Sequence, residues 1–170
     1  MRKVNLAIAS LTHAHVRKYY ATLNDNAKIN WVAVSAADET AARNFRTYGY
    51  DIPIYMSTEE MLRAHPEIDG VIIASENSRH LMDMEMCCRY RKHMLSMKIP
   101  SFDLEEYDHM IRMVEDAGVL CQVELEMHYN PSCRRAVELA RSGIVGDIIS
   151  FNPVPRRGIP LAGRPRHKLR

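Results

Sequence analysis

A lysine, four histidines and a pair of carboxylates are the side chains of this sequence best placed to do chemistry. Lys98 stands in Ser96-Met97-Lys98-Ile99-Pro100, directly after a short apolar run. A lysine at a strand tip beside a proline is a fixed electrostatic group, and it also reads as a solvated surface lysine. His13 and His15 flank Ala14 at the start of a helical pattern. Backbone amides at a helix amino terminus hold anions, and a protonated histidine there would add to the attraction. Glu124 and Glu126 are two residues apart, which on a strand puts both carboxylates on one face. Such a pair suits a sugar or a metal, although surface acids are the commoner outcome. In Ser75-Glu76-Asn77-Ser78-Arg79-His80, Asn77 either closes an Asx turn or faces a ligand, and His80 opens the next helix. His128 joins His13 and His15 as a third histidine that could turn toward the same cleft.

These groups need a scaffold, and the scaffold is legible. Apolar runs at Val4–Ser10, Ile29–Ser35, Ile52–Tyr55, Val71–Ala74, Met94–Met97 and Val119–Leu125 read as strands, and Asp147–Phe151 begins a seventh. Helical patterns separate them: one to about Leu23, one opened by Asp38, then Thr58–Ala64, Arg79–Arg91, Leu104–Ala117 and Pro131–Ser142. Ser57 with Glu60 and Asp103 with Glu106 form capping boxes, and Gly118 and Gly143 end their helices. Near-continuous apolar strands alternating with helices mark a parallel sheet buried on both faces. The expected fold is therefore α/β, a Rossmann-like doubly wound sheet, mainly parallel, of about six strands with helices on both faces. In such sheets ligands sit at the carboxyl ends of the strands, where the strand order reverses.

The loop after the first strand is the decisive one. A dinucleotide loop carries glycines for a tight turn and close approach of the pyrophosphate. Here that frame falls on Ala9-Ser10-Leu11-Thr12-His13-Ala14, and no glycine precedes Gly49. Two readings stand: an anion site built from backbone amides with Thr12, His13 and His15, or a pocket crowded by Leu11. The second strand ends Ser35-Ala36-Ala37-Asp38 without the acid that holds an adenine ribose, and Asp38 reads as the cap of the next helix. The missing acid permits a 2′-phosphate, with Arg43 as a helper, and equally permits no cofactor.

Composition bounds the rest. The chain has 170 residues, 46% hydrophobic and 26% charged, ordinary values for one globular domain. Arg156, Arg157, Arg164, Arg166, Lys168 and Arg170 crowd the end without an acid. Pro, Gly and Arg without aromatics point to a flexible basic tail rather than a nucleic-acid face. Cys87, Cys88, Cys121 and Cys133 form no CxxC pair, so no metal site is expected, and reduced thiols suit a cytoplasmic protein. No run reaches the ~18 apolar residues of a membrane span.

Four separated segments carry a family resemblance. They are Ser75-Glu76-Asn77-Ser78-Arg79-His80, then Arg91-Lys92-His93-Met94-Leu95-Ser96-Met97-Lys98-Ile99-Pro100, then His128-Tyr129-Asn130-Pro131, and Ser142-Gly143-Ile144-Val145-Gly146. In order and spacing they resemble the TPNxxH, GKHVLxEKP, RxNP and GxIG stretches of the glucose–fructose oxidoreductase/inositol dehydrogenase/MocA (Gfo/Idh/MocA) family. The resemblance runs from about Lys3 to Phe151 and implies an NAD or NADP cofactor and sugar, polyol or related carbonyl substrates. It implies that Lys98 is the catalytic lysine, a cation that polarises a hydroxyl or carbonyl while hydride moves. It further implies that Ala9, Leu11, Thr12, His13, Ser35, Ser75, Asn77 and His80 lie along the cofactor. Glu124 stands where relatives carry glycine, and the glutamate of EKP is Met97 here.

The expected organisation is a nucleotide-binding domain over residues 1–151 and the tail over 152–170. The family's second domain, which carries the substrate pocket, is expected to be missing, so that the chain alone would be weakly active or inactive. Two functions follow. One is an NAD(P)-dependent oxidoreductase domain, for which an exposed sheet edge or face would favour pairing as a homodimer, or aggregation. The other is a non-enzymatic binding protein on the same fold that has lost its cofactor fingerprint. A nucleic-acid partner through the tail is the remotest of the options.

Overall fold

A computed structural model describes residues 2–13 and 15–151. The basic segment 152–170 lies outside the described residues. The chain divides into two compact units, Met1–Leu125 and Glu126–Arg170.

The first unit is a six-stranded sheet. Its strands are β1 (Val4–Ala9), β2 (Ile29–Ser35), β3 (Ile54–Tyr55), β4 (Gly70–Ile73), β5 (His93–Ser96) and β6 (Cys121–Val123). The order is β3-β2-β1-β4-β5-β6 and every pairing is parallel. The chain winds outward from β1 to β3, then returns to the other side of β1 as β4. The switch point between β1 and β4 is thus where a ligand crevice is expected.

Helices α1 (Val16–Leu23), α2 (Glu39–Arg46), α3 (Thr58–Ala64), α4 (His80–Arg89) and α5 (Leu104–Ala117) cover both faces. Strand alternation sorts the core into two clusters. Ala7, Ala9, Val71 and Ile73 pack with Met61 and Leu62 of α3, Met84 and Cys87 of α4, and Met110 of α5. Ile8, Val34, Ile72 and Ala74 pack with Val16 and Tyr20 of α1 and Ala42 and Phe45 of α2. Helix starts follow their caps: Asp38, Ser57 and Asp103 each accept from an amide of the first turn. Gly118 closes α5 with φ 63°, a conformation that costs glycine nothing.

The second unit contains, within the described residues, a 3₁₀ turn at Glu126–His128 and α6 (Pro131–Arg141), capped by Asn130. The expected strand at Asp147–Phe151 does not form. A strand exists through its hydrogen-bonded neighbour, and an apolar run does not by itself supply one. The expected sixth strand is likewise shorter, and its ladder ends at Val123. Glu124 therefore sits at the strand tip and Glu126 begins the turn, so the two carboxylates do not share a strand face.

Candidate functional site

The loop after β1 turns without glycine. Ser10 and Leu11 adopt φ 74° and 54°, left-handed values that cost an ordinary residue about 1–2 kcal/mol each. Two features hold them there. Leu11 is 8% exposed and lies in the apolar cluster with Val16, Tyr20 and Val34, so its bulk is in the core rather than standing in the crevice. Ser10 enters a closed polar ring. Its N–H donates to Ser35 Oγ (3.2 Å), the Ser35 and Thr58 hydroxyls lie 2.9 Å apart, and Thr58 Oγ1 donates to Asp83 Oδ1 (3.1 Å). The Ser10 hydroxyl closes the ring on Asp83 Oδ2 at 2.8 Å. Thr58 spends its proton on Asp83, so Ser35 must donate to Thr58.

The loop's other donors also turn inward. The amides of Thr12 and His13 both reach Ala74 O, at 3.0 and 2.8 Å. The Thr12 hydroxyl lies within reach of both Ala74 O (3.3 Å) and Glu76 Oε2 (2.9 Å). The His15 amide donates to His13 Nδ1 at 3.2 Å, so neutral His13 carries its proton on Nε2. The two imidazoles meet edge to face, 4.6 Å between centroids. Burial lowers the His13 pKa to about 4; His15, Lys98 and His80 lower it too, and Glu124 opposes them. His13 is thus a neutral donor near pH 7, not the cation that would draw a phosphate.

A charged cluster closes the carboxyl ends of the strands. Glu124 follows β6, where its amide donates to Ser96 O (2.8 Å), and its side chain is buried. Its Oε1 lies 3.6 Å from His15 Nδ1 and its Oε2 3.9 Å from Lys98 Nζ. Among the described residues neither oxygen has a hydrogen-bond partner. A buried carboxylate left this way is costly, so this corner favours a donor-bearing ligand or a closer approach of Lys98, which is 43% exposed on its side chain. Beside it, Ser75 is buried at the tip of β4, its hydroxyl without a partner among the described residues. His80 opens α4 with no exposed surface, its Nδ1 2.7 Å from Ile99 O and its Nε2 3.0 Å from Ser75 O.

The residues singled out from sequence thus separate into groups. His13, Ser75, His80 and Lys98 gather at the ends of β1, β4 and β5, with Thr12 at the rim. Ser35 lies beneath the first loop, and Ala9 is in the core. Asn77 begins the 3₁₀ turn before α4 and lines a cavity of about 470 Å³ with Leu81, Pro100, Phe102 and Glu106. Asp38 caps α2 through Ala41 N at 2.7 Å, so no free acid stands at the tip of β2. His128 belongs to the second unit.

Sequence reasoning missed Asp83 and Thr58. A signal for Asp83 was present: His80, Asp83, Met84, Cys87 and Cys88 form the buried stripe of α4, and a carboxylate inside such a stripe demands partners. Among the described residues there is no group of three metal-ligating side chains, and no helix long and apolar enough to cross a membrane.

A parallel doubly wound sheet, a tight turn into α1 at its switch point and polar groups at the strand tips define a Rossmann-like α/β domain. The chain belongs to the Gfo/Idh/MocA oxidoreductase family with an NAD-binding Rossmann fold, whose model matches residues 8–125. It is 26% identical over 131 residues to 2,7-anhydro-N-acetylneuraminate hydratase of Escherichia coli, covering 77% of this chain and 34% of that protein. It is 29% identical over 163 residues to vacuolar membrane-associated protein iml1 of Aspergillus clavatus, covering 91% of this chain but 8% of that one. Scyllo-inositol dehydrogenase from Lactobacillus casei, solved with bound NAD(H) and scyllo-inositol, has the same fold. There the TM-score is 0.74 at 21% identity, over 86% of this chain and 43% of that one. The chain therefore spans a third of the bacterial hydratase and under half of the dehydrogenase.

The chain's own atoms bear on whether a nicotinamide nucleotide fits. The left-handed turn at Ser10 and Leu11 supplies the backbone shape that glycines usually supply, with Leu11 buried out of the way. The unpartnered Ser75 hydroxyl and Glu124 carboxylate lie at the strand tips, where such a ligand would run. The crevice fits on these grounds. Its phosphate end must first exchange the Thr12 and His13 amides from Ala74.

Proposed function

We propose that this domain binds NAD or NADP along the carboxyl ends of β1, β4 and β5 and serves oxidation or reduction of sugar- or polyol-type compounds. The observation that carries the reading is Lys98: a half-exposed ammonium at the tip of β5, 3.9 Å from a buried carboxylate. Family membership and the dehydrogenase that binds NAD(H) and scyllo-inositol support it. When bound, a nicotinamide supplies or accepts hydride. The backbone of Ser10–His13 and the amino end of α1 would face the phosphates, with Ser75 and Lys98 at the nicotinamide end. Lys98 polarises a substrate hydroxyl or carbonyl, and Glu124 holds its charge at the strand tips. No free acid at the β2 tip excludes a 2′-phosphate, so NADP is as acceptable as NAD.

Titration of the chain with NADH and NADPH by nucleotide fluorescence tests the reading. Saturable binding that Lys98→Met weakens supports it. Absence of binding at millimolar nucleotide would sink it and favour a second reading, a non-enzymatic binding protein on this fold. That alternative is favoured by the loop donors already satisfied by Ala74 and by the carboxylate of Glu76 over Thr12. Exposed Leu104 and Ile111 along α5 favour self-association as a homodimer, which sedimentation equilibrium checks.

A further inference from the structure

We propose that His80 acts as the positioning residue for Lys98, a doubly donating brace between the loops that leave β4 and β5. The inference rests on the reading of Lys98 as the polarising cation.

The two strands pair in register from Gly70↔His93 to Ile73↔Ser96. Beyond them, one backbone bond remains, from Met97 N to Ile73 O at 3.1 Å. Lys98 and Ile99 then leave the sheet. The His80 ring spans the gap: Nδ1 takes Ile99 O, the carbonyl just past Lys98, and Nε2 takes Ser75 O, just past the β4 tip. With no exposed surface, the ring exchanges neither contact for water. It also has no nitrogen left for a nucleotide, so its influence on a ligand passes through Lys98 and Ser75.

A carbonyl oxygen only accepts, so for both contacts to be hydrogen bonds both nitrogens must donate, and the proposed brace is an imidazolium. Charge-assisted bonds to two carbonyls are stronger and more directional than neutral ones. A neutral ring would leave one carbonyl facing a lone pair and release either the β4 side or the Lys98 side.

The test uses the full chain. Long-range proton–nitrogen spectra of the imidazoles near neutral pH should show both His80 nitrogens protonated. His80→Asn places an amide near the Nδ1 position and should keep the Ile99 bond; His80→Gln places one near Nε2 and should keep only the Ser75 bond. Trinitrobenzenesulfonate labelling of Lys98, normalised to exposed Lys28 and read by mass spectrometry, reports the placement of the ammonium. His80→Gln should change that ratio by about threefold or more, because a group freed from one geometry samples many, and His80→Asn should stay near wild type. A neutral His80 ring overturns the proposal. So does an unchanged ratio in His80→Gln, or an equal change in both variants. If His80→Gln does not fold, the wild-type spectrum and the His80→Asn ratio decide. None of these readouts uses nucleotide, so a failed NADH titration sinks the functional reading and leaves this one to its own result.

Discussion

Leu11 tests the account of the first loop most sharply, because two effects of opposite sign meet in it. The side chain is 8% exposed in the apolar cluster and the backbone is left-handed at φ 54°. Removing a buried leucine side chain costs about 2–5 kcal/mol, and a partly enclosed loop position belongs near 3. Relieving the left-handed strain returns about 1–2 kcal/mol, available to glycine and not to alanine. Glycine's extra freedom in the unfolded chain takes back about 0.5–1 kcal/mol. Glycine also gives up the buried Cβ, about 0.8 kcal/mol, so Leu11→Ala and Leu11→Gly should each lose about 3 kcal/mol. At an ordinary position glycine is the less stable of the two by about 1–2 kcal/mol; here the two should be level. Urea unfolding followed by Trp31 fluorescence measures both variants. Trp31 stacks on Tyr20 at 5.0 Å in the same cluster and reports its integrity directly. If Leu11→Gly is less stable than Leu11→Ala by more than about 1 kcal/mol at equal denaturant slope, the loop is not left-handed at this residue. If Leu11→Ala is near neutral, the side chain is not in the core.

Other outcomes follow from the same geometry. Because the folded pKa of His13 is about 4, against 6.5 for the free group, the unfolded chain binds a proton first as pH falls. Stability is full above pH 6.5, declines toward pH 4 and is flat below it. Solvent screening of this half-buried ring reduces the ideal ~3 kcal/mol to about 1, and His13→Asn should remove that part of the pH dependence of urea midpoints. In histidine NMR titrations, Lys98→Met should raise the His13 pKa and Glu124→Gln should lower it, matching the signs of their fields. Asp83→Ala leaves the buried Ser10 hydroxyl and the partly buried Thr58 hydroxyl without their acceptor and should cost about 2–4 kcal/mol in the same unfolding assay. Glu76→Gln removes an anion beside the phosphate end of the crevice and should tighten NADH by a few-fold, more at low salt than at high; an unchanged dissociation constant would place the phosphates elsewhere.

What could be read along the chain is whatever near neighbours determine. Apolar runs of four to seven residues between helical patterns gave the parallel sheet, because strands buried on both faces have no polar side to show. Asp38, Ser57, Asp103 and Gly118 marked helix ends through contacts with their own first or last turns. Lys98 and His80 could be placed at the strand tips from the surrounding pattern. The tertiary structure decided the rest. Ser10 and Leu11 turn left-handed with no glycine because Asp83, 73 residues away from Ser10, and an apolar cluster hold them. Glu124 is not a surface acid because its strand ends beside Lys98 and His15. Asp147–Phe151, apolar enough for a strand, found no ladder. Periodicity records which face of an element is buried, but a buried polar group is satisfied by partners brought from distant positions. Those partners, and therefore the protonation and placement of the groups that would meet a ligand, exist only once the chain has folded.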